Sequence, residues 1–160
     1  MNFISHKPIH PEIFFIPKPS PDSGALTTFF GMVRNHHEGR AVRRLYYECY
    51  ASMADKEIFM IRKNAIQRWP LTDVRILHRV GLLEIGDIAL AVAVASAHRT
   101  EAFEACEAIV DEIKVRVPIW KKEFYADFTS QWVLCGHHGG QSSTFDIPIS
   151  ILEGMSNVED

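Results

Sequence analysis

Residues 88–118 read IALAVAVASAHRTEAFEACEAIVDEIKVRVP, and this stretch decides the fold class. From Ile88 to Ala97 the residues are apolar or small almost without interruption. That pattern marks a central strand covered on both faces, and the run is too short to span a bilayer as a helix. Thr100 then reads as a helix N-cap, with Glu101 and Glu104 near the positive end of the helix dipole. Phe103, Cys106, Val110, Ile113 and Val117 step by three and four, the spacing of a core-facing stripe. Pro118 stops the helix, and Ile119–Asp127 and Gln131–Cys135 read as two further strands.

Working back toward the N-terminus, DVRILHRV (73–80) places Val74, Ile76, His78 and Val80 on one face of a strand, with Arg75, Leu77 and Arg79 on the other. A turn at Leu83–Asp87, carrying Gly86, joins it to the central strand. Ala54, Ile58, Ile61, Ala65 and Trp69 recur at helical spacing from Ser52 to Trp69, and Pro70 closes that helix. Gly24–Val33 (GALTTFFGMV) is rich in β-formers and reads as a buried strand. RNHHEGR then forms a loop, and Ala41–Tyr50 a second strand. Residues 1–18 read as an irregular or edge-strand lead-in, with a turn marked by Pro17, Pro19 and Pro21. The order is strand, strand, helix, strand, strand, helix, strand, strand. It has too few helices for a doubly wound sheet, so the expected class is α+β, a sandwich.

The chain has 160 residues, enough for one domain with a hydrophobic core. Residues 1–135 are expected to form it and residues 136–160 a mobile tail rich in Gly, His and Ser. With 47% hydrophobic and 23% charged residues, the composition is that of a soluble globular protein. The formal net charge of -3 points to neither nucleic acid nor an anionic membrane surface, so any anion site must come from a few converging basic residues. Three widely spaced cysteines, Cys49, Cys106 and Cys135, form no disulfide framework and fit a reducing compartment. The opening MNFISHKPIHPEIFF has no apolar signal core, and a cytoplasmic location is expected.

Four basic segments sit at element ends: Met32-Val33-Arg34, His98-Arg99, Lys114, and Trp120-Lys121-Lys122-Glu123. Each has a plain alternative. Arg34 can be a solvated strand end, His98-Arg99 an incidental pair, and Lys114 a cation that complements the helix C-terminus. Alternation on a strand puts Lys121 and Glu123 on one face and Trp120, Lys122 and Phe124 on the other. A sheet that brings these ends together would gather Arg34, His98, Arg99, Lys114 and Lys121 around one pocket, suited to a phosphate. Crowded cations also depress a lysine's pKa, which suits proton transfer or attack on a carbonyl. His36-His37 and Cys135-x-His137-His138 fit no common zinc spacing, and no metal site is expected. Met32, Met53 and Met60 read as core or pocket filler.

GALTTFFGMVRNHHEGR, LYYECYASMADKEI, RWPLTDVRILHRVGLLEIGD and VAVASAHRTEAFEACEAIVDEIKVRVPIWKKE resemble, in order and spacing, the molybdopterin synthase catalytic subunit family. The resemblance covers Gly24 to Val133 and is most specific in SAHRTEAFEA and KxxxPIWKKE. It departs at FYADFTSQWV, where the family often has a glycine, and beyond Cys135. It implies an α/β hammerhead-like sandwich with an additional small β-rich subdomain, assembled as a homodimer. A small ubiquitin-like sulfur-carrier subunit would bind each copy, giving a heterotetramer. The implied activity is that of a sulfurtransferase in molybdenum cofactor biosynthesis, with no cofactor of its own. The carrier's C-terminal Gly-Gly thiocarboxylate would donate sulfur to cyclic pyranopterin monophosphate, and two transfers would build the dithiolene of molybdopterin. The same resemblance implies that Met32, Val33, Arg34, His98 and Arg99 bind the substrate. Lys114 and Lys121 would be catalytic, with Lys122 and Glu123 completing the site. Two rival classes are a phosphate-ligand sensor or partner-binding module that kept the fold, and a zinc protein using the His-rich loop and tail.

Overall fold

A computed structural model of the chain describes residues 2–14 and 20–134. Cys135, the tail from residue 136, and Pro17 and Pro19 lie outside the described residues. The element order is β1 (Ile4–Ser5), a 3-10 turn (Pro11–Phe14), β2 (Ala25–Met32), β3 (His36–His37), β4 (Arg40–Cys49), α1 (Ala51–Arg68), β5 (Leu71–Arg79), β6 (Gly81–Glu84), β7 (Ile88–Ser96), α2 (Arg99–Arg116), β8 (Ile119–Tyr125) and β9 (Ser130–Leu134). The architecture is mixed α+β, with two sheets and two helices among the described residues.

The first sheet has the order β1-β5-β7-β2. Strand β7 pairs antiparallel with both β5 and β2, and β1 adds in parallel beside β5. As its composition demands, β7 is buried on both faces. Leu90, Val92 and Val94 meet Ala54, Ile58 and Ile61 of α1 and Cys106, Ile109 and Ile113 of α2. The alanines Ala91 and Ala93 meet Ile9 and Phe14 of the lead-in on the other face. Small residues on that side leave room for the lead-in to cross the sheet closely.

The second sheet has the order β3-β4-β8-β9, with β6 also paired to β4. Its apolar face, with Val42, Leu45 and Tyr125, closes over Val33, Leu83 and Ala89 to form a separate core. Tyr47 packs against both cores.

Several local expectations are corrected. Strand β2 lies at the margin of its sheet and is half-buried rather than buried. RNHHEGR is a tight hairpin, with His37 opposite Arg40. Its two turn residues, Glu38 (φ 47°) and Gly39 (φ 78°), both take the left-handed conformation that matches the twist of paired strands. Leu83 and Glu84 belong to β6, so the following turn is shorter than expected. Helix α2 starts two residues earlier than expected, capped by His98 rather than Thr100 and without a side-chain hydrogen bond. Phe103 is 60% exposed; the buried stripe is Ala102, Ala105, Cys106, Ile109, Val110 and Ile113. Met32, Met53 and Met60 are likewise exposed rather than core.

Gly24, just before β2, must lack a side chain. A Cβ there would lie 2.3 Å from the carbonyl oxygen of Ala97. The close approach ties the start of β2 to the chain that enters α2.

Candidate active site

The register of the first sheet divides the basic segments between its two ends. Ala25 pairs with Ser96, whereas Met32 pairs with Ile88. At roughly 3.3 Å per residue, the two ends of β2 are about 23 Å apart. His98 and Arg99, both exposed, follow Ser96 at one end. Met32, Val33 and Arg34 leave the sheet at the other. Helix α2 starts beside His98, and Lys114 in its last turn lies about 22 Å along the helix from Arg99. The Lys114 Nζ lies 6.0 Å from the ring centre of Phe29, which pairs with Val92 near the middle of β2. A single chain therefore separates His98 and Arg99 from Arg34 and from Lys114.

Each residue at the Met32 end has a distinct setting. Met32 is 64% exposed and Arg34 is exposed, while Val33 between them is buried in the second core. The Val33 N–H donates to the carbonyl of Asp87 (2.9 Å), and its own carbonyl accepts from Gly86 (2.8 Å). Two residues on, the Asn35 carbonyl accepts from the Val42 N–H (2.8 Å), which starts the second sheet. Backbone pairing on both sides thus fixes where Arg34 emerges. Among the described residues no carboxylate pairs with Lys114.

Strand β8 carries the other half of the site, and the predicted alternation holds. The Lys121 Nζ donates to Glu123 Oε1 at 2.8 Å, with Glu123 only 1% exposed. Glu123 Oε2 accepts from the Tyr125 hydroxyl (2.8 Å) and lies 3.0 Å from His37 Nδ1. Burial pushes the Glu123 carboxyl up, but Lys121, Tyr125 and His37 outweigh it and hold the group below the usual carboxylate range. Burial, followed by the bond to Glu123, pushes the Tyr125 phenol up to about 12, so it remains a donor. Lys122 belongs to the opposite face, over the Phe124 ring at 5.2 Å and in register with Tyr46 and Trp132.

The loop reading of His36-His37 missed His37 as a partner of Glu123. Tyr125 was also missed, although the Lys121-Glu123-Tyr125 alternation would have indicated it. Neither described cysteine offers a reactive thiolate. Burial, with help from Glu48 and Asp55, pushes Cys49 up to about 11, and burial pushes Cys106 up to about 11. Arg34, Lys114 and Lys121 each offer a positive charge to an anion or to a reacting group that gains negative charge, and neither described cysteine adds a reactive thiolate.

Comparison with known proteins agrees with the sequence resemblance. A family model described as "MoaE protein" matches residues 4–116. The molybdopterin synthase catalytic subunit of Pyrococcus abyssi (strain GE5 / Orsay) is 49% identical over 104 residues, which are 65% of this chain and 70% of that protein. The X-ray structure of molybdopterin synthase from Staphylococcus aureus superposes with a TM-score of 0.77 at 39% identity, covering 85% of this chain and 97% of that one. A complex of subunits 1 and 2 of the molybdopterin-converting factor from Helicobacter pylori 26695 shares the fold, with a TM-score of 0.58 at 19% identity over 74% of this chain and 75% of that one.

Proposed function

This chain belongs to the MoaE family of molybdopterin synthase catalytic subunits, and on that premise we propose that it is a sulfurtransferase of molybdenum cofactor biosynthesis. It would take sulfur from the C-terminal Gly-Gly thiocarboxylate of a small ubiquitin-like carrier and pass it to cyclic pyranopterin monophosphate. Two such transfers yield the dithiolene of molybdopterin. The single observation that carries the reading is the Lys121–Glu123 ion pair, joined through His37 to the hairpin that follows Arg34. The thiols of Cys49 and Cys106 fit a site whose sulfur arrives on another protein.

In this reading Lys114 and Lys121 are the catalytic residues. Lys114, with no carboxylate partner among the described residues, offers its charge to the incoming anions. Lys121, fixed by Glu123, donates to the oxygen that gains charge as the thiocarboxylate is attacked or expelled. Arg34 holds phosphate by its guanidinium fork, with Met32 and Val33 beside it and Glu123 completing the site through Lys121, while Lys122, expected in the site, faces the other side of β8. His98 and Arg99 lie too far along the sheet to join this pocket from the same chain. A homodimer in which the second copy presents its own His98 and Arg99 resolves the division. The carrier would then bind each copy, giving a heterotetramer.

Residues 1–135 form the catalytic domain in this proposal, and the protein acts in the cytoplasm. No described helix is long and apolar enough to cross a membrane. The two-sheet arrangement supports an α/β hammerhead-like sandwich, with the second sheet as the small β-rich subdomain. The deciding experiment mixes the purified protein with a thiocarboxylated carrier and cyclic pyranopterin monophosphate and measures dithiolene formation. Turnover is expected. Ligand binding without turnover would overturn the enzyme reading in favour of a sensor.

A further inference from the structure

We propose that His37 and Tyr125 are positioning residues of the sulfur-transfer site: they hold the Glu123 carboxylate in one orientation and thereby fix the ammonium of Lys121. The proposal rests on the reading of Lys121 given above, and it adds two residues that never touch the substrate.

An ionised carboxylate only accepts hydrogen bonds. Glu123 Oε1 takes one from Lys121, and Oε2 takes one from the Tyr125 hydroxyl. His37 Nδ1 lies 3.0 Å from Oε2 as an ion-pair partner, close enough to donate a hydrogen to it. The last torsion of a glutamate is soft and roughly two-fold. A carboxylate with one bonded oxygen would swing about it, and a long lysine chain would follow. With both donors on Oε2 the plane is set, and Oε1 becomes a fixed anchor for Nζ.

The surroundings hold the two donors as firmly as the donors hold Glu123. His37 and Arg40 face each other across the Glu38-Gly39 turn. The Arg40 guanidinium lies 3.4 Å from the centre of the Tyr125 ring and bonds to Asp127 Oδ2 (3.0 Å) and Thr129 Oγ1 (2.6 Å). The Ala126 N–H donates to the Ala41 carbonyl (2.9 Å), and the Tyr125 N–H to that of Thr129 (2.9 Å). One hairpin thus delivers Arg34 at its base and His37 near its tip. The phosphate-binding guanidinium and the imidazole that holds Glu123 are carried on the same piece of chain.

Three variants test this: His37→Leu, His37→Asn and Tyr125→Phe, each checked for its thermal transition. The asparagine amide can place an N–H where Nδ1 stands, whereas leucine cannot. His37→Leu is expected to lower kcat about tenfold and leave the KM for the pyranopterin within about twofold, as a misplaced catalytic group does. His37→Asn should restore most of the loss, and Tyr125→Phe should lie between them. A second readout needs no turnover: acylation of Lys121 by acetic anhydride, quantified by mass spectrometry. It should rise in His37→Leu and return toward the parent level in His37→Asn. The proposal is overturned if His37→Leu matches the parent in both readouts, or if His37→Asn fails as badly as His37→Leu. If the parent has no turnover, the sulfurtransferase reading falls, and the labelling pattern still decides whether His37 and Tyr125 position Lys121.

Discussion

Lys121 and Glu123, two residues apart on one strand, are joined by a 2.8 Å ion pair whose carboxylate is 1% exposed. A buried charge stripped of its partner is far more costly than the intact pair is stabilising. Glu123→Ala, which strands Lys121, His37 and the Tyr125 hydroxyl together, should therefore lower unfolding stability by about 3 kcal/mol. Urea unfolding at pH 7 measures it, and a midpoint unchanged from the parent would refute the estimate. The folded carboxyl lies below its ordinary value of 4.5. Its stabilising contribution is complete above that value and is lost as pH falls through the lower folded value. Glu123→Gln should flatten that acid limb.

Lys114 is tested separately, because its half-buried stem rests near Phe29 and no carboxylate of the described residues depends on it. Lys114→Ala should reduce dithiolene formation by about 10²-fold or more while leaving carrier binding and the melting temperature close to the parent's. Full activity in the purified two-component assay would remove Lys114 from the catalytic set.

The separation of His98 and Arg99 from Arg34 and Lys114 makes a prediction about mixed dimers. A His98→Ala/Arg99→Ala chain and a Lys114→Ala/Lys121→Ala chain should each be inactive alone. If sites are shared between copies, a mixed dimer has one site with all its residues and one with neither set. Equal mixing and random reassociation should then recover about a quarter of parental activity. No recovery, with mixed dimers verified by native mass spectrometry, would place all these residues in the site of one chain.

The sequence reading placed His78 on a buried face, and its environment gives it a pH signature. Full burial pushes the imidazole down to about 4, only partly opposed by its bond to the Arg79 carbonyl (2.9 Å). Between pH 6.5 and about 4 the unfolded chain binds a proton that the folded chain refuses. Stability is therefore full above that window and falls as pH drops through it, with a slope of up to about 1.4 kcal/mol per pH unit. His78→Leu should remove this slope, as urea midpoints at pH 7, 6, 5 and 4.5 would show.

What was legible in the sequence follows from the range of each interaction. The uninterrupted run of β7 announced a doubly covered strand, because burial on both faces excludes polar residues at both parities. The alternation of β8 announced the Lys121–Glu123 face for the same local reason. The core stripe of helix α2 was largely legible: of Phe103, Cys106, Val110, Ile113 and Val117, only Phe103 is exposed. What the pattern missed is the flank of Ala102, Ala105 and Ile109, buried beside Cys106, Val110 and Ile113. Two of these missed members, Ala102 and Ala105, are small and carry little hydropathic weight. His37 against Glu123 was illegible, since it depends on how a hairpin registers against a strand far along the chain. The division of the basic residues was hidden too: it follows from the antiparallel pairing of β2 with β7, which no local pattern records.

The two cores, bridged by Tyr47, imply a gradient of amide protection across the molecule. Strand β7 is hydrogen-bonded on both sides and lies inside the larger core, so its amides should exchange with deuterium only on global opening. The second sheet, with fewer buried apolar side chains beneath it, should open in smaller steps and exchange sooner. Lys121, Glu123 and His37 ride on that more labile half, and Lys114 on the more rigid one. Exchange in β8 should slow when a partner or substrate fastens the two halves together, while exchange in β7 stays as it was.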